Sequence, residues 1–196
     1  MSVEPQHQHT WPQPPPGGYT ADDLDRLPDL PPHTELIDGS LVFKSPQTKF
    51  HMRVMRLLEN GLLRSAPHDL EVVREMTVQL GLRRRPEPDV MAVRAEADTG
   101  MEQTTYRPED VVLAVEVVSQ DSEARDRETK PGKYAKAGIP HFWRVESDEG
   151  APVVYVYELD PATAAYVPTG IHRNRLKLSV PFTIDIDLTR TGRPRG

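Results

Sequence analysis

Val111-Val112-Leu113-Ala114-Val115-Glu116-Val117-Val118 is a run of valine, leucine and alanine with a single carboxylate inside it. Its length and β-branched character predict a strand. Glutamate is almost never fully buried unless it is paired. An ionised carboxylate set among apolar side chains costs several kcal/mol unless a metal, a cation or hydrogen bonds offset it. Nothing within the strand can do so, and Glu116 therefore marks a site.

Working outward from that strand, Leu70 to Leu80 and Asp89 to Val93 also predict strands. Upstream of them, Phe50, Val54, Leu58 and Leu62 recur every four residues, widened by Met55 and Leu57, which predicts an amphipathic helix from Lys49 to Arg64. Glu35 to Phe43 reads as a hairpin, because Asp38-Gly39 supplies the positive φ angles of a tight turn. Thr20 caps a short helix, with Asp23 three residues on. Downstream, a second helix starts at Pro131 and ends near Ala137 at Gly138. Strands follow at His141 to Val145, Val153 to Leu159, Ala165 to Ile171 and Lys177 to Ile186. The order predicts an α/β (α+β) fold, a mixed β-sheet flanked by helices with a β-rich C-terminal half. Residues 1–19, rich in Pro and His, are expected to be a disordered tail, 20–188 a single domain, and 189–196 a short basic tail. His7 and His9 in the first tail are read as solvated.

The chain has 196 residues, 37% hydrophobic and 28% charged, enough for one cored globular domain. It lacks cysteine, which excludes disulfides, thiolate catalysis and Cys-based zinc sites. No membrane span or signal peptide is visible, so a cytoplasmic protein is expected. A net charge of −6 argues against unspecific coating of nucleic acid but leaves room for a local basic rim. Nucleophile elbows, phosphate-cradling glycine loops and HExxH helices are missing. A carboxylate pair also suits a glycosidase, but 6% aromatic content is poor for a sugar cleft.

Two further features bear on Glu116. In Pro86-Glu87-Pro88-Asp89-Val90 the prolines hold the chain extended, so Asp89 enters its strand with a fixed direction. Asp126-Arg127-Glu128-Thr129-Lys130-Pro131-Gly132-Lys133-Tyr134 then supplies lysines just after the Glu116 strand. Two carboxylates on neighbouring strands offer oxygen ligands to a hard cation, Mg²⁺ or Mn²⁺. A nearby lysine can orient water and stabilise charge on a phosphoryl group, a combination suited to phosphodiester hydrolysis. Glu35 is a candidate third acid, against the ordinary reading of an exposed hairpin residue. His51, at a helix start, either caps the helix or faces the site. Arg83, Arg84 and Arg85 form either a grip on phosphate backbone or a solvated turn.

These pieces resemble the Uma-type restriction-endonuclease-like family, a branch of the PD-(D/E)XK nuclease superfamily. The resemblance runs from Glu35 to Tyr166. It is carried by Glu35-Leu36-Ile37-Asp38-Gly39, Ser45-Pro46 with His51, Pro88-Asp89-Val90, and Val115-Glu116-Val117-Val118-Ser119. Asp126-x3-Lys130-x3-Tyr134-Ala135-x2-Gly138-Ile139-Pro140 and Phe142-Trp143 complete it. It implies a metal-dependent nuclease fold acting on DNA, with Asp89 and Glu116 as metal ligands and Lys130 as the catalytic lysine. Two residues after the second acid, where the superfamily pattern has lysine, this chain has Val118. Lys130 precedes Pro131, which biases it out of helical geometry and places it at an N-cap; Lys133 is the alternative lysine. Beside a Mg²⁺- or Mn²⁺-dependent endonuclease stands a second reading, a non-catalytic binding or regulatory module of the same fold acting as a homodimer. A lysine amine gathered with Asp89 and Glu116 in a cleft favours the first; a buried arginine paired with Glu116 favours the second.

Overall fold

The computed structural model describes residues 13–191; His7, His9 and the rest of the first tail to Pro12, and the basic tail from Gly192, lie outside them. In chain order the elements are a 3₁₀ turn (Ala21–Asp25), β1 (Glu35–Ile37), β2 (Ser40–Val42), α1 (Lys49–Ser65), β3 (Leu70–Arg74), β4 (Thr77–Val78), β5 (Val90–Arg94), β6 (Thr105–Tyr106) and β7 (Val111–Val117). A π-helical turn (Arg125–Thr129) then leads into α2 (Lys130–Lys136), followed by β8 (His141–Asp148), β9 (Ala151–Asp160), β10 (Ala165–His172), β11 (Arg175–Leu178) and β12 (Ile184–Asp187).

Six strands form one mixed sheet in the order β10-β9-β8-β7-β5-β3. Its neighbours are antiparallel except for β7 and β8, which run parallel. Parallel neighbours need a crossover, and α2 lies in the one between them. The valine-rich β7 thus sits inside the sheet with both faces covered, which is why it reads as an unbroken apolar run. Leu113, Val115 and Val117 face α1 and pack with Val54, Leu58 and Leu62. Ala114 faces the other way, into a cluster with Met91, Tyr134 and Phe142. Each fully buried leucine or valine contributes about 1.5–3 kcal/mol to this packing. Alternation along β7 therefore sends Glu116 to the α2 side.

Three expectations change. The expected strand Leu70 to Leu80 breaks at Glu75, whose φ of +53° turns the chain out of the main sheet so that β4 pairs with β6. Lys177 to Ile186 is a hairpin, β11 and β12, because Pro181 carries no N–H for a ladder. The end of the expected first tail folds back: Tyr19 N–H donates to Gly39 O at 2.9 Å, and Tyr19 is buried against Ala21 and Leu36. Gly18, at φ +88°, allows this, since a Cβ there would stand 2.7 Å from Gly39 O. Among the described residues no helix is long and apolar enough to cross a membrane.

Candidate active site

Val90 pairs with Val115 in the β5–β7 ladder, so one further step sets Asp89 beside Glu116 on the α2 face. Like charges so placed repel, and each needs its own donors. Asp89 Oδ2 accepts the Val117 N–H at 2.6 Å and lies 3.1 Å from His51 Nε2, which carries the proton toward this ionised partner. The N-terminus of α1 delivers that imidazole, fixed by the His51 N–H bonded to the Thr48 hydroxyl at 3.2 Å. Glu116 accepts from Tyr134 OH at 2.6 Å and from Lys130 Nζ at 3.1 Å. No arginine pairs with it among the described residues.

Glu35 is 1% exposed, contrary to the reading of an exposed hairpin residue. Leu36 and Arg85 exchange backbone hydrogen bonds, which lays β1 over the segment before Asp89. Glu35 Oε1 then accepts the Glu87 N–H at 2.9 Å and lies 2.8 Å from Lys130 Nζ.

Lys130 is also helical, at φ −65° and ψ −43°, rather than an extended residue before proline. Its N–H bonds Arg125 O five residues back, and this wide π turn gives the Pro131 ring room a regular helix would deny it. The four-residue spacing of Asp126, Lys130 and Tyr134 puts all three on one helix face. The Lys130 amine is thereby enclosed by Glu35, Glu116 and, at 3.2 Å, Asp126. Lys133 turns away and donates to Asp38 at 2.6 Å, outside this cluster.

Lys44 and Asp126 complete the cluster, and sequence reasoning gave neither a role. Lys44 Nζ donates to Glu87 O at 3.0 Å and lies 3.8 Å from Asp89 Oδ1, with 14% of its side chain exposed. It follows a hairpin without periodicity, so no sequence signal could find it. Asp126 was visible as the first position of the four-residue spacing.

Arg85 is not available to a ligand: it is 3% exposed and donates to Thr77 Oγ1, Ala21 O, Asp25 and Thr104 Oγ1. Arg83 stays exposed and its guanidinium covers Gly17, while Arg84 lies over Gly81.

Charge in the cluster is unbalanced. Buried Glu35, Glu87, Asp89, Glu116 and Asp126 share two ammonium groups. Burial, and then the neighbouring carboxylates of Asp126, Asp89 and Glu35, push Glu116 well above the usual carboxylate range, outweighing Lys130. Burial also works against Glu35 and Asp89, but Lys130 and Lys44 hold Glu35 below that range, and His51 and Lys44 do so for Asp89. Burial alone would depress Lys130; Glu116, Glu35 and Asp126 hold it well above its ordinary value, so it remains an ammonium.

Glu35, Asp89, Glu116, both lysines and His51 wall a cavity of ≈ 20 Å³, room for about one water. Ser45, Gln47, Ser119 and Asp121 also border it, and these four line a neighbouring groove of ≈ 380 Å³.

The family model described as "Uma2: Putative restriction endonuclease" matches residues 21–191. No curated protein matches the chain. Among solved structures the chain is similar to a putative nuclease belonging to DUF820 from Anabaena variabilis. The identity is 18%, the match covers 83% of this chain and 89% of that one, and the TM-score is 0.62. That likeness is one of fold.

Proposed function

The chain belongs to the Uma2 family of putative restriction endonucleases, and on that premise we propose that it hydrolyses phosphodiester bonds in DNA with the help of Mg²⁺ or Mn²⁺. The observation that carries this reading is the convergence of three buried acids, Glu35, Asp89 and Glu116, on the wall of one cavity the size of a cation or water. Among the described residues no three His, Asp or Glu side chains stand at metal-ligand spacing, and the amines of Lys130 and Lys44 lie between the acids. The donor chemistry nevertheless fits a hard cation, since every candidate ligand is a carboxylate oxygen. Asp89 and Glu116 would hold it, with Glu35 as a third acid. What such a cation supplies when bound is a more acidic water and neutralisation of charge on the phosphoryl group.

The chain's own residues set the geometry. His51 and the Val117 N–H fix Asp89 Oδ2, so its Oδ1 is the oxygen that faces the cavity side occupied by Lys44. Tyr134 and Lys130 together orient Glu116. Lys130, kept as an ammonium, acts by orienting water and countering charge rather than as a base. Lys44, partly exposed, is placed to donate to a phosphate oxygen entering from the groove.

Cleavage of supercoiled plasmid and single-stranded DNA with Mg²⁺, Mn²⁺ or EDTA tests the reading. Metal-dependent cutting lost in Glu116→Ala and Lys130→Ala is expected. A wild type that cuts neither substrate but binds DNA would instead support the non-catalytic module. Lys44→Met is expected to lower the cleavage rate by roughly a hundredfold; because its amine also offsets Glu35, Glu87 and Asp89, the rate is compared at a temperature below the melting transition of the variant.

A further inference from the structure

We propose that the outward face of α1 is the surface that receives the phosphate backbone of duplex DNA; this rests on the nuclease reading and extends it to how the substrate lies. Val54, Leu58 and Leu62 turn one side of α1 into the core. At about 100° per residue the opposite side carries Lys49, Arg53, Arg56 and Arg64. The one acid of the helix, Glu59, lies off this stripe and pairs with Arg74. Among the described residues none of the four cations has an ion-pair partner; Arg83, Arg84, Arg94, Lys136 and Lys177 also lack one but are spread over four other segments, whereas Arg26, Arg107, Arg125, Arg127, Arg173 and Arg175 are paired.

That row runs against the helix's own stability. Like charges three and four residues apart repel by about 0.2–0.5 kcal/mol per pair. The first turn holds Lys49 and no acid, so the cations add to the positive end of the helix dipole rather than offset it. A chain with a net charge of −6 thus sets four unpaired cations in one row on a single helix face. The face begins where it matters, since Thr48, beside Lys49, lines the ≈ 380 Å³ groove that leads to the acids. Successive cations from Lys49 to Arg56 stand about 4.5–6 Å apart along the axis, a spacing that suits a row of phosphates. Complementarity with a polyanion selects the occupant, and the groove at the N-terminal end selects the strand to be cut.

The test is the full chain with Lys49→Glu, Arg53→Glu and Arg56→Glu together. Binding to a fluorescent duplex is measured in EDTA over a range of salt, beside plasmid cleavage with Mn²⁺. The expected result is a loss of affinity of roughly tenfold to a hundredfold and a salt slope shallower by about three. The Gln triple variant, which keeps helix propensity without reversing charge, should show the same slope change. Wild-type affinity and slope in both variants would overturn the proposal, and cleavage by the wild type would then leave the nuclease reading standing. A wild type that binds through these residues but cuts nothing would keep the surface and end the nuclease reading. A variant that dissolves a dimer in sedimentation while binding DNA normally would assign the face to a second copy and overturn the proposal.

Discussion

Glu116→Gln is expected to remove cleavage, by roughly 10³-fold or more, and to leave the fold as stable as the wild type or more so. The two effects have one cause. Glu116 is surrounded by Asp126, Asp89 and Glu35 as well as by Lys130, and burial and those acids raise its pKa. A carboxyl raised in the folded state stabilises fully below its unfolded pKa, and that contribution is lost as pH rises through the folded value. Glutamine removes this cost, so the advantage of the variant should grow with pH above the ordinary carboxylate range, by on the order of 1 kcal/mol. Its amide oxygen can accept from Lys130, and its NH₂ can donate to Tyr134 OH. Glu35 and Asp89, lowered by their cationic partners, contribute the opposite dependence: stability present at neutral pH and lost on acidification, in both proteins. Urea midpoints of the two proteins across pH, beside their cleavage rates, check this. Equal loss of stability and activity would show that Glu116 is merely structural.

Lys130→Met should be the most damaging change to the fold. It removes the one cation that touches Glu35, Glu116 and Asp126 together and leaves three carboxylates in a dry interior. Breaking a buried ion pair from one side costs about 3–5 kcal/mol, which for a chain of this size lowers the melting temperature by roughly 10 °C. Glu35→Gln combined with Lys130→Met should recover part of the loss, since Glu35 is the acid that Lys130 chiefly holds ionised and the double variant buries one charge fewer. A double-variant melt no better than that of Lys130→Met alone would show that the pair is not coupled.

The parts of this picture that depend on local pattern were legible in the sequence. The four-residue period of α1, the strand of Glu116 and the directed Asp89 follow from hydrophobic spacing and from proline. Glu35 was not legible as buried, because its burial depends on Leu36 pairing with Arg85, residues far apart in the chain. Nor could three successive arginines be told apart: only Arg85 finds Thr77, Asp25 and Thr104 waiting in the interior. For Lys130 a sound local rule, that proline disfavours a helical residue before it, is overridden by three carboxylates acting on one amine. The polar side of α1 was legible as exposed, but exposure alone does not tell which cations keep a partner.

α2 has seven residues, too few to persist as a helix in water, and begins with proline and glycine near its start. Lys130, Tyr134 and Ala135 bury it against the rest of the molecule and Lys133 ties it to Asp38; Lys130 and Tyr134 also reach acids that the site needs. Of the acids they touch, Glu35 comes from β1, Glu116 from β7 and Asp126 from the π-helical turn, segments that meet only when the chain is folded. A nascent or damaged chain therefore has no partial version of this centre to misuse. The centre is a product of the whole fold: it is assembled when the last of these segments docks and is lost when the first leaves.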